Sequence, residues 1–502
     1  MNKIAVVKEE NIRLIFGLKL KLLRQDKNFS LSQLSQKTDI SISYLNEIEK
    51  GKKYPKADKI FALAEALDVS YDWLVSLKLN KKLGPLSEIL KSNILSELPL
   101  DVFGIQPGNL LELISAAPAK LNAFISTLIE ISRNYNLTVE NFYFSVLRTY
   151  QEMYENYFPE IEKAAETFRE KHLNSQKDVL AQLIGYLTKK CNYEIDETTL
   201  PSYPELTNFR SVLRKNKSKK SCLMIDGRLT AQQKIFVLSR EVAYHFLKLE
   251  ERSLTYTWQS VNSFDEILNN FKATYFAGAL LLPEKKLAND IKSFFSRNVW
   301  DAKGFLDIMY KHNSSPETFL HRLTSIIPRH FELNKLFFVK IRHIPNKNYF
   351  QLTKELHLSG LHTPHATASD EHYCRRWLSV NINEALARQL ENNTFKAPIC
   401  NAQISSYAGT PNKYFCISIA RPQYPNPEFN CSLTIGFPID RTFKERVTFW
   451  KDSNVPDVEV GQTCERCSVK NCKERSSEAT VLQKKEKELI IKKRLKELLS
   501  SN

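Results

Sequence analysis

The sequence runs to 502 residues, 42% apolar and 25% charged, values that suit a folded chain of roughly three ordinary domains and exclude a fibrous or largely disordered one. Lys and Arg total 72 against 56 Asp and Glu, a net charge of +16, which favours a polyanionic partner, nucleic acid ahead of a membrane surface. No apolar run nears the ~20 residues of a bilayer span, the start MNKIAVVKEE lacks an apolar signal core, and nine cysteines, an odd number, do not suggest a disulfide framework; a cytoplasmic protein without membrane contact is expected.

From Ile12 to Leu74 apolar residues recur at helical spacing, broken by polar turns at DKNFS, TDIS and GKKYPK. Ser30 is placed to cap a helix over LSQLSQK, and Ser41 to cap the next, ISYLNEIEKG, which Gly51 ends. Two short helices across a tight turn make a helix-turn-helix. Leu31, Leu34, Leu45 and Ile48 should face inward. Gln33, Ser43, Tyr44 and Asn46 are left to meet base edges and phosphates, with Ser41 at the helix start and Lys50, Lys52 and Lys53 where the recognition helix leaves the groove. The stretch YLNEIEKGKKYPKADKIFALAEAL resembles the xenobiotic-response-element (XRE) type of helix-turn-helix. A homodimer on double-stranded DNA is expected from the helix-turn-helix spacing, and residues 1–80 are assigned to this domain.

Residues 81–166 read as a helical connector or dimerisation region, punctuated at GPLSE and GIQPGN. Its aromatic-rich ENFYFSVLRTYQEMYENYF is expected in a core or a subunit contact. Over 167–332 the order is a helix at DVLAQLIGYLTKK, a strand at SCLMIDGRL, a helix containing SREVAYHFL, then FKATYFAGALLLP and SPETFLHRLTSI. This succession resembles the ImmA/IrrE zinc-peptidase fold, whose helix carries His-Glu-x-x-His. Here the first histidine position holds Arg240 and the second Tyr244, around Glu241, and the stretch where the family has its acidic ligand reads NNFK, with Asn270 and Lys272 as the candidates. Zinc hydrolysis needs three protein ligands, an open position and a carboxylate base. Arginine cannot ligate a cation. A domain without catalytic residues, its Arg240 and Glu241 in an ordinary ion pair, is therefore expected.

After residue 334 strand-like runs appear, LFFVKIRHI, YFQLTKELHL, YFCISIARP and CSLTIGFPI, and the segment 333–476 closes with TCERCSVKNCKER. Cys464, Cys467 and Cys472 are too close in sequence to serve only as core, and Cys374 in HYCRRW, flanked by arginines that can offset thiolate charge, is the candidate fourth ligand for an iron–sulfur cluster, or alternatively zinc. Cys191, Cys222, Cys400, Cys416 and Cys431 are assigned to core packing. The fold class is therefore α+β and multidomain: an all-α helix-turn-helix, a helical middle, a degenerate zincin-like α+β domain and a carboxy-terminal α+β sensor domain.

Helix-turn-helix, helical middle, YFAGALLLP, HYCRRW and CERCSVKNCKER in this order resemble the short-chain fatty acyl-CoA regulators, which include the propionate and glyoxylate regulators of actinobacteria. The resemblance reaches Arg475. It implies a bacterial transcription factor sensing a short-chain acyl-CoA, in some members with an iron–sulfur cluster on the terminal cysteines. The competing readings are a zinc metallopeptidase that cleaves a repressor and an effector-independent, phage-type repressor. The remainder, 477–502 with VLQKKEKELIIKKRLKELL, reads as a basic amphipathic helix, a solvated tail or a contact to phosphate or a partner helix.

Overall fold

The computed structural model describes residues 9–76, 139–174, 176–206, 209–215, 221–252, 263–347, 349–358 and 371–500. GPLSE and GIQPGN lie outside them, as does most of the connector. Chain contacts divide the molecule into two units, 1–146 with 262–264, and 147–261 with 265–502. Among the described residues no helix is long and apolar enough to cross a membrane.

In the first unit five helices, α1 (Glu9–Asp26), α2 (Leu31–Thr38), α3 (Ile42–Glu49), α4 (Ala57–Leu67) and α5 (Tyr71–Val75), form a bundle. Phe16, Leu20, Leu34, Leu45, Ile48, Leu63, Leu67 and Leu74 are its buried core, and Leu31 packs half-buried against it. The α2 start is a capping box: the Gln33 backbone N–H donates to Ser30 Oγ at 3.1 Å and the Ser30 N–H donates to Gln33 Oε1 at 2.8 Å. Asp39 turns the chain at φ 51° and Gly51 ends α3 at φ 68°, each supplying the left-handed residue a helix end favours. A Cβ at Gly17 would stand 2.3 Å from the Ile48 carbonyl oxygen. There α1 and α3 meet backbone to backbone, which only glycine allows.

Two cations, the buried Lys19 and the partly buried Arg24, tie this bundle together. Lys19 donates to the Trp73 carbonyl at 2.7 Å and lies over the Trp73 ring at 4.5 Å, and burial lowers its pKa to about 8. Arg24 forks onto Glu49 at 2.6 and 2.8 Å and donates to the Phe29 carbonyl, so α1 holds the end of α3.

The second unit has two sheets. The first has order β1 (Tyr193–Asp196), β3 (Ser221–Ile225), β2 (Ser211–Lys215), with β1 parallel and β2 antiparallel to the central β3. Helices at 139–153 (α6), 159–172 (α7), 179–190 (α8), 231–246 (α9) and 264–281 (α10) accompany it, while those at 284–295 (α11), 302–311 (α12) and 316–331 (α13) share a core with the second sheet; α6 has its first residues, and α10 its first residue, in the other unit. The aromatic run is core here, as expected: Tyr150 and Phe158 pack with Phe271, and Phe158 meets Tyr275 edge-on.

The second sheet has six strands in the order β5 (Tyr349–His357), β4 (Phe337–Ile344), β8 (Asn430–Pro438), β7 (Lys413–Pro422), β6 (Ile399–Tyr407), β9 (Asp457–Val460). Helix α14 (Leu378–Glu391) packs on it, α15 (Arg441–Arg446) follows β8, and α16 (Thr480–Ser500) is last. The four strand-like runs of the sequence are β4, β5, β7 and β8. Strands β6 and β9 and helix α14 were not legible, because ICNAQISSY and DVEV alternate weakly and LSVNINEALARQLE carries polar residues that the sheet buries, Ser379 and Asn383 among them. Cys222, Cys400, Cys416 and Cys431 are buried as expected. Cys191 is corrected: it caps α8, where the helix end leaves it half-exposed.

Candidate functional site

The first site is the outer face of α3. Ser41 caps it, its Oγ accepting from the Tyr44 N–H at 3.3 Å. With Leu45 and Ile48 fully buried, the helix is rotationally fixed. Ser43 is thereby exposed, and Tyr44 and Asn46 stand half-exposed beside it. Lys52 and Lys53 are exposed and Lys50 half-exposed, one turn beyond. Three of these side chains are partly engaged, among them Tyr44, whose hydroxyl donates to the Tyr54 carbonyl at 3.5 Å. Gln33 commits its amide oxygen to the capping box, and Lys53 pairs with Glu47 at 3.3 Å and lies 5.9 Å from the Tyr44 ring centre.

The second site is the SREVAYH helix. Helix α9 starts with a Thr230–Gln233 capping box and is buried on every side from Val237 to Tyr244. Arg240 and Glu241 are each 3% exposed, but they do not pair in the expected way. Glu241 accepts from Arg252 Nη2 at 2.9 Å on both of its oxygens and from the Tyr193 hydroxyl at 3.1 Å. Arg252 lies over the Tyr244 ring at 3.9 Å. Arg240 donates instead to Asn270 Oδ1, on the helix where the acidic ligand was sought. Lys272 stands half-buried two residues on. His245 shares the Tyr193 hydroxyl at 3.1 Å, and burial, then Arg252, lower its pKa. A guanidinium thus pairs with Glu241 in this buried setting. Sequence reasoning missed Arg252 and Tyr193, since KLEERS reads as an ordinary charged helix end.

The third site is the thiol cluster. An isolated bridge joins Tyr373 to Thr463, and the Cys464 N–H donates to the His372 carbonyl at 2.9 Å, which brings HYCRRW against TCERC. Cys374, Cys464 and Cys467 are buried together around Gly461, whose N–H donates to Cys374 Sγ at 3.3 Å and where a Cβ would meet Cys467 Sγ at 2.8 Å. The Ser476 N–H donates to Cys464 Sγ at 3.4 Å. Burial raises the Cys374 thiol to about 11, with the neighbouring Cys467 and Cys464 adding to it. Cys472 is half-exposed. Among the described residues no group of three or more His, Cys, Asp or Glu is arranged to hold a metal ion. Arg375 is engaged elsewhere, over the Phe350 ring at 4.5 Å. The arginine that organises the loop is Arg475, which donates to the Cys464, Cys467 and Val469 carbonyls.

A fourth feature has no sequence signal. A small cavity is lined by Arg210, His321, Arg322, Lys354 and Arg421 together with Glu317, Tyr275 and Gln233. Arg210, Lys340 and Lys354 all converge on Glu317, at 3.1, 3.0 and 3.9 Å. Burial works against ionisation of Glu317, but Lys340 and Arg210 hold its carboxyl well below the usual range. Burial lowers His321 to about 3, so it is neutral. Cations outnumber the carboxylate in this lining.

Residues 20–74 match the helix-turn-helix family and residues 202–324 match the IrrE N-terminal-like domain. The chain joins a helix-turn-helix domain to an IrrE-like domain. Over 490 residues it is 22% identical to the HTH-type transcriptional regulator RamB from two strains of Mycobacterium tuberculosis, covering 92% of this chain and 94% of the relative. A solved structure of a Mycobacterium tuberculosis transcriptional regulator, 16% identical, aligns with a TM-score of 0.46 over 67% of this chain and 93% of that one. The IrrE-like match spans β2, β3 and α9 to α12, with most of α13, and so includes Arg240, Glu241 and Arg252.

Proposed function

We propose that this chain is a sequence-specific DNA-binding transcription regulator that senses a small effector, a short-chain acyl-CoA, and has no peptidase activity. The observation that carries the reading is the outer face of α3, where Ser43, Tyr44 and Asn46 stand accessible on a helix fixed by buried Leu45 and Ile48, with Lys50, Lys52 and Lys53 at its exit. The similarity to transcriptional regulators that covers 92% of this chain and 94% of theirs supports it. As a homodimer it would read half-sites about 34 to 36 Å apart. Asn46→Ala should cost roughly 1 to 3 kcal/mol of discrimination at one base, while Lys52→Ala should weaken every sequence alike and lower the salt slope by about one. Footprinting on the chain's own promoter region decides: protection that survives both changes refutes the reading.

The peptidase alternative is disfavoured because Glu241, the residue that would serve as base, is held on both oxygens by Arg252. The effector reading draws support from the cationic cavity, whose Arg210, Lys354 and Arg421 suit the phosphates of a CoA. For the cofactor, Cys374, Cys464, Cys467 and Cys472 are the ligands of an iron–sulfur cluster, with zinc as the rival, and binding would have to draw the half-exposed Cys472 and the three buried thiols into a ligand arrangement not formed among the described residues. Backbone N–H groups already directed at two of the sulfurs favour the thiolate form either needs. Such a group supplies redox sensitivity if it is a cluster and rigidity if it is zinc. Protein purified without oxygen should be brown and bleach in air, and propionyl-CoA at about 100 times its dissociation constant should add about 2.7 kcal/mol of stability. Colourless protein that stays free of iron after reconstitution rejects the cluster. Equal melting with and without acetyl-, propionyl- and free CoA rejects the effector.

A further inference from the structure

The feature the proposed function leaves unused is α16. Its first turn is anchored beside the thiol cluster, the Val481 and Leu482 N–H groups both donating to the Glu465 carbonyl at 3.1 Å. Beyond that turn every described side chain is exposed, including Ile491 at 58%, Leu495 at 52% and Leu498 at 72%. Solvated helices of this kind do not ordinarily spend so many large apolar side chains on water. Residues 481, 484, 488, 491, 495 and 498 follow alternating steps of three and four, the a and d spacing of a helix seam, and hold Val, Lys, Glu, Ile, Leu and Leu. The flanking e and g positions then hold Lys485, Lys487, Lys492 and Arg494, with Leu499 as the apolar exception. All four cations are exposed, and among the described residues Arg494 is the one of the four within ion-pair distance of an acid, Glu497 at 2.9 Å.

This flank decides the occupant. A second copy of α16 would set Lys and Arg against Lys and Arg in either direction, since g meets e in parallel pairs and like meets like in antiparallel ones. A flat lipid interface needs a broad apolar face, whereas this seam is narrow, has Lys484 and Glu488 within it, and leaves Leu489 and Ile490 on other sides. We propose that α16 docks an amphipathic helix of another protein, with apolar seam residues opposite Ile491, Leu495 and Leu498 and acidic residues flanking them. The polar positions Lys484 and Glu488 set the register, as single polar layers do in paired helices. This proposal does not depend on the regulator reading.

The test uses the full chain and a fluorescent synthetic peptide of the length of α16, with Leu at every a and d position and Glu at every e and g position. A matched control carries Lys in place of Glu. The acidic peptide should bind saturably and at least about tenfold more tightly than the basic one. Leu495→Asp combined with Leu498→Asp should abolish that binding, and the quadruple exchange of Lys485, Lys487, Lys492 and Arg494 for Glu should invert the preference. Because all six positions are exposed, circular dichroism of the variants should match that of the parent chain. Equal binding of both peptides, or binding indifferent to the seam exchange, overturns the proposal. So does concentration-dependent self-association of the parent chain that the seam exchange abolishes, or tighter seam-dependent capture by phosphatidylglycerol vesicles or duplex DNA than by the acidic peptide.

Discussion

Glu241→Gln should unfold the IrrE-like region about 3 to 5 kcal/mol more easily, a fall of roughly 6 to 20 °C in melting temperature for a domain of this size. The glutamine matches the glutamate in shape and keeps an acceptor for Tyr193. It lacks the charge that Arg252, 9% exposed at its side chain, finds on Glu241 at 2.9 Å. Arg240 lies on the same buried helix, so the substitution leaves a guanidinium without its counter-charge in a dry setting. The contrast with a zinc peptidase is sharp: there the same exchange removes a catalytic base and leaves the fold in place. Replacing both partners, Glu241→Leu with Arg252→Met, should recover most of the loss, since two apolar groups have no stranded charge. Differential scanning calorimetry on the parent chain, Glu241→Gln and the double variant checks this. A melting temperature that Glu241→Gln leaves unchanged would mean that the pair does not form.

A comparable loss, again about 3 to 5 kcal/mol, is expected for Glu162→Gln, at the junction of α7, α10 and α13. Arg322 forks onto Glu162 at 2.5 and 2.8 Å and donates through Nε to the Leu282 carbonyl at 3.1 Å. The Tyr275 hydroxyl donates to the same carboxylate at 2.7 Å and accepts from the Phe158 N–H at 3.2 Å. Arg322 is 3% exposed, so a neutral partner cannot replace the lost attraction from solvent. Tyr275→Phe removes one donor to the carboxylate and the acceptor of the Phe158 N–H, and should cost about 1.5 to 3 kcal/mol. The two substitutions share the carboxylate, and their effects should therefore not add. Because Tyr275 and Arg322 also line the cationic cavity, the same calorimetry repeated with propionyl-CoA separates a loss of stability from a loss of binding. Additive effects in the ligand-free protein would show that the three side chains do not act as one network.

What the sequence determined by itself is local. Caps, turns and apolar spacing place α2 and α3, and Ser30, Ser41 and Gly51 do in the structure what their chemistry requires. Helix periodicity and runs of branched and aromatic residues likewise placed α8, α9, β4, β7 and β8. That positions 240 and 244 hold arginine and tyrosine is plain in the letters. What only the tertiary structure decided is which distant groups meet. Arg252 reaches Glu241 across a helix end, Arg240 finds Asn270 on another helix, and Arg475, not the arginines beside Cys374, ties the cysteine loop. Those pairings depend on burial, because a charge taken out of water must find a partner wherever the fold brings one, and neither spacing nor composition encodes that position. The cationic cavity has the same origin: Arg210, Lys354 and Arg421 come from separate strands and loops and converge only when the IrrE-like helices pack against the six-stranded sheet.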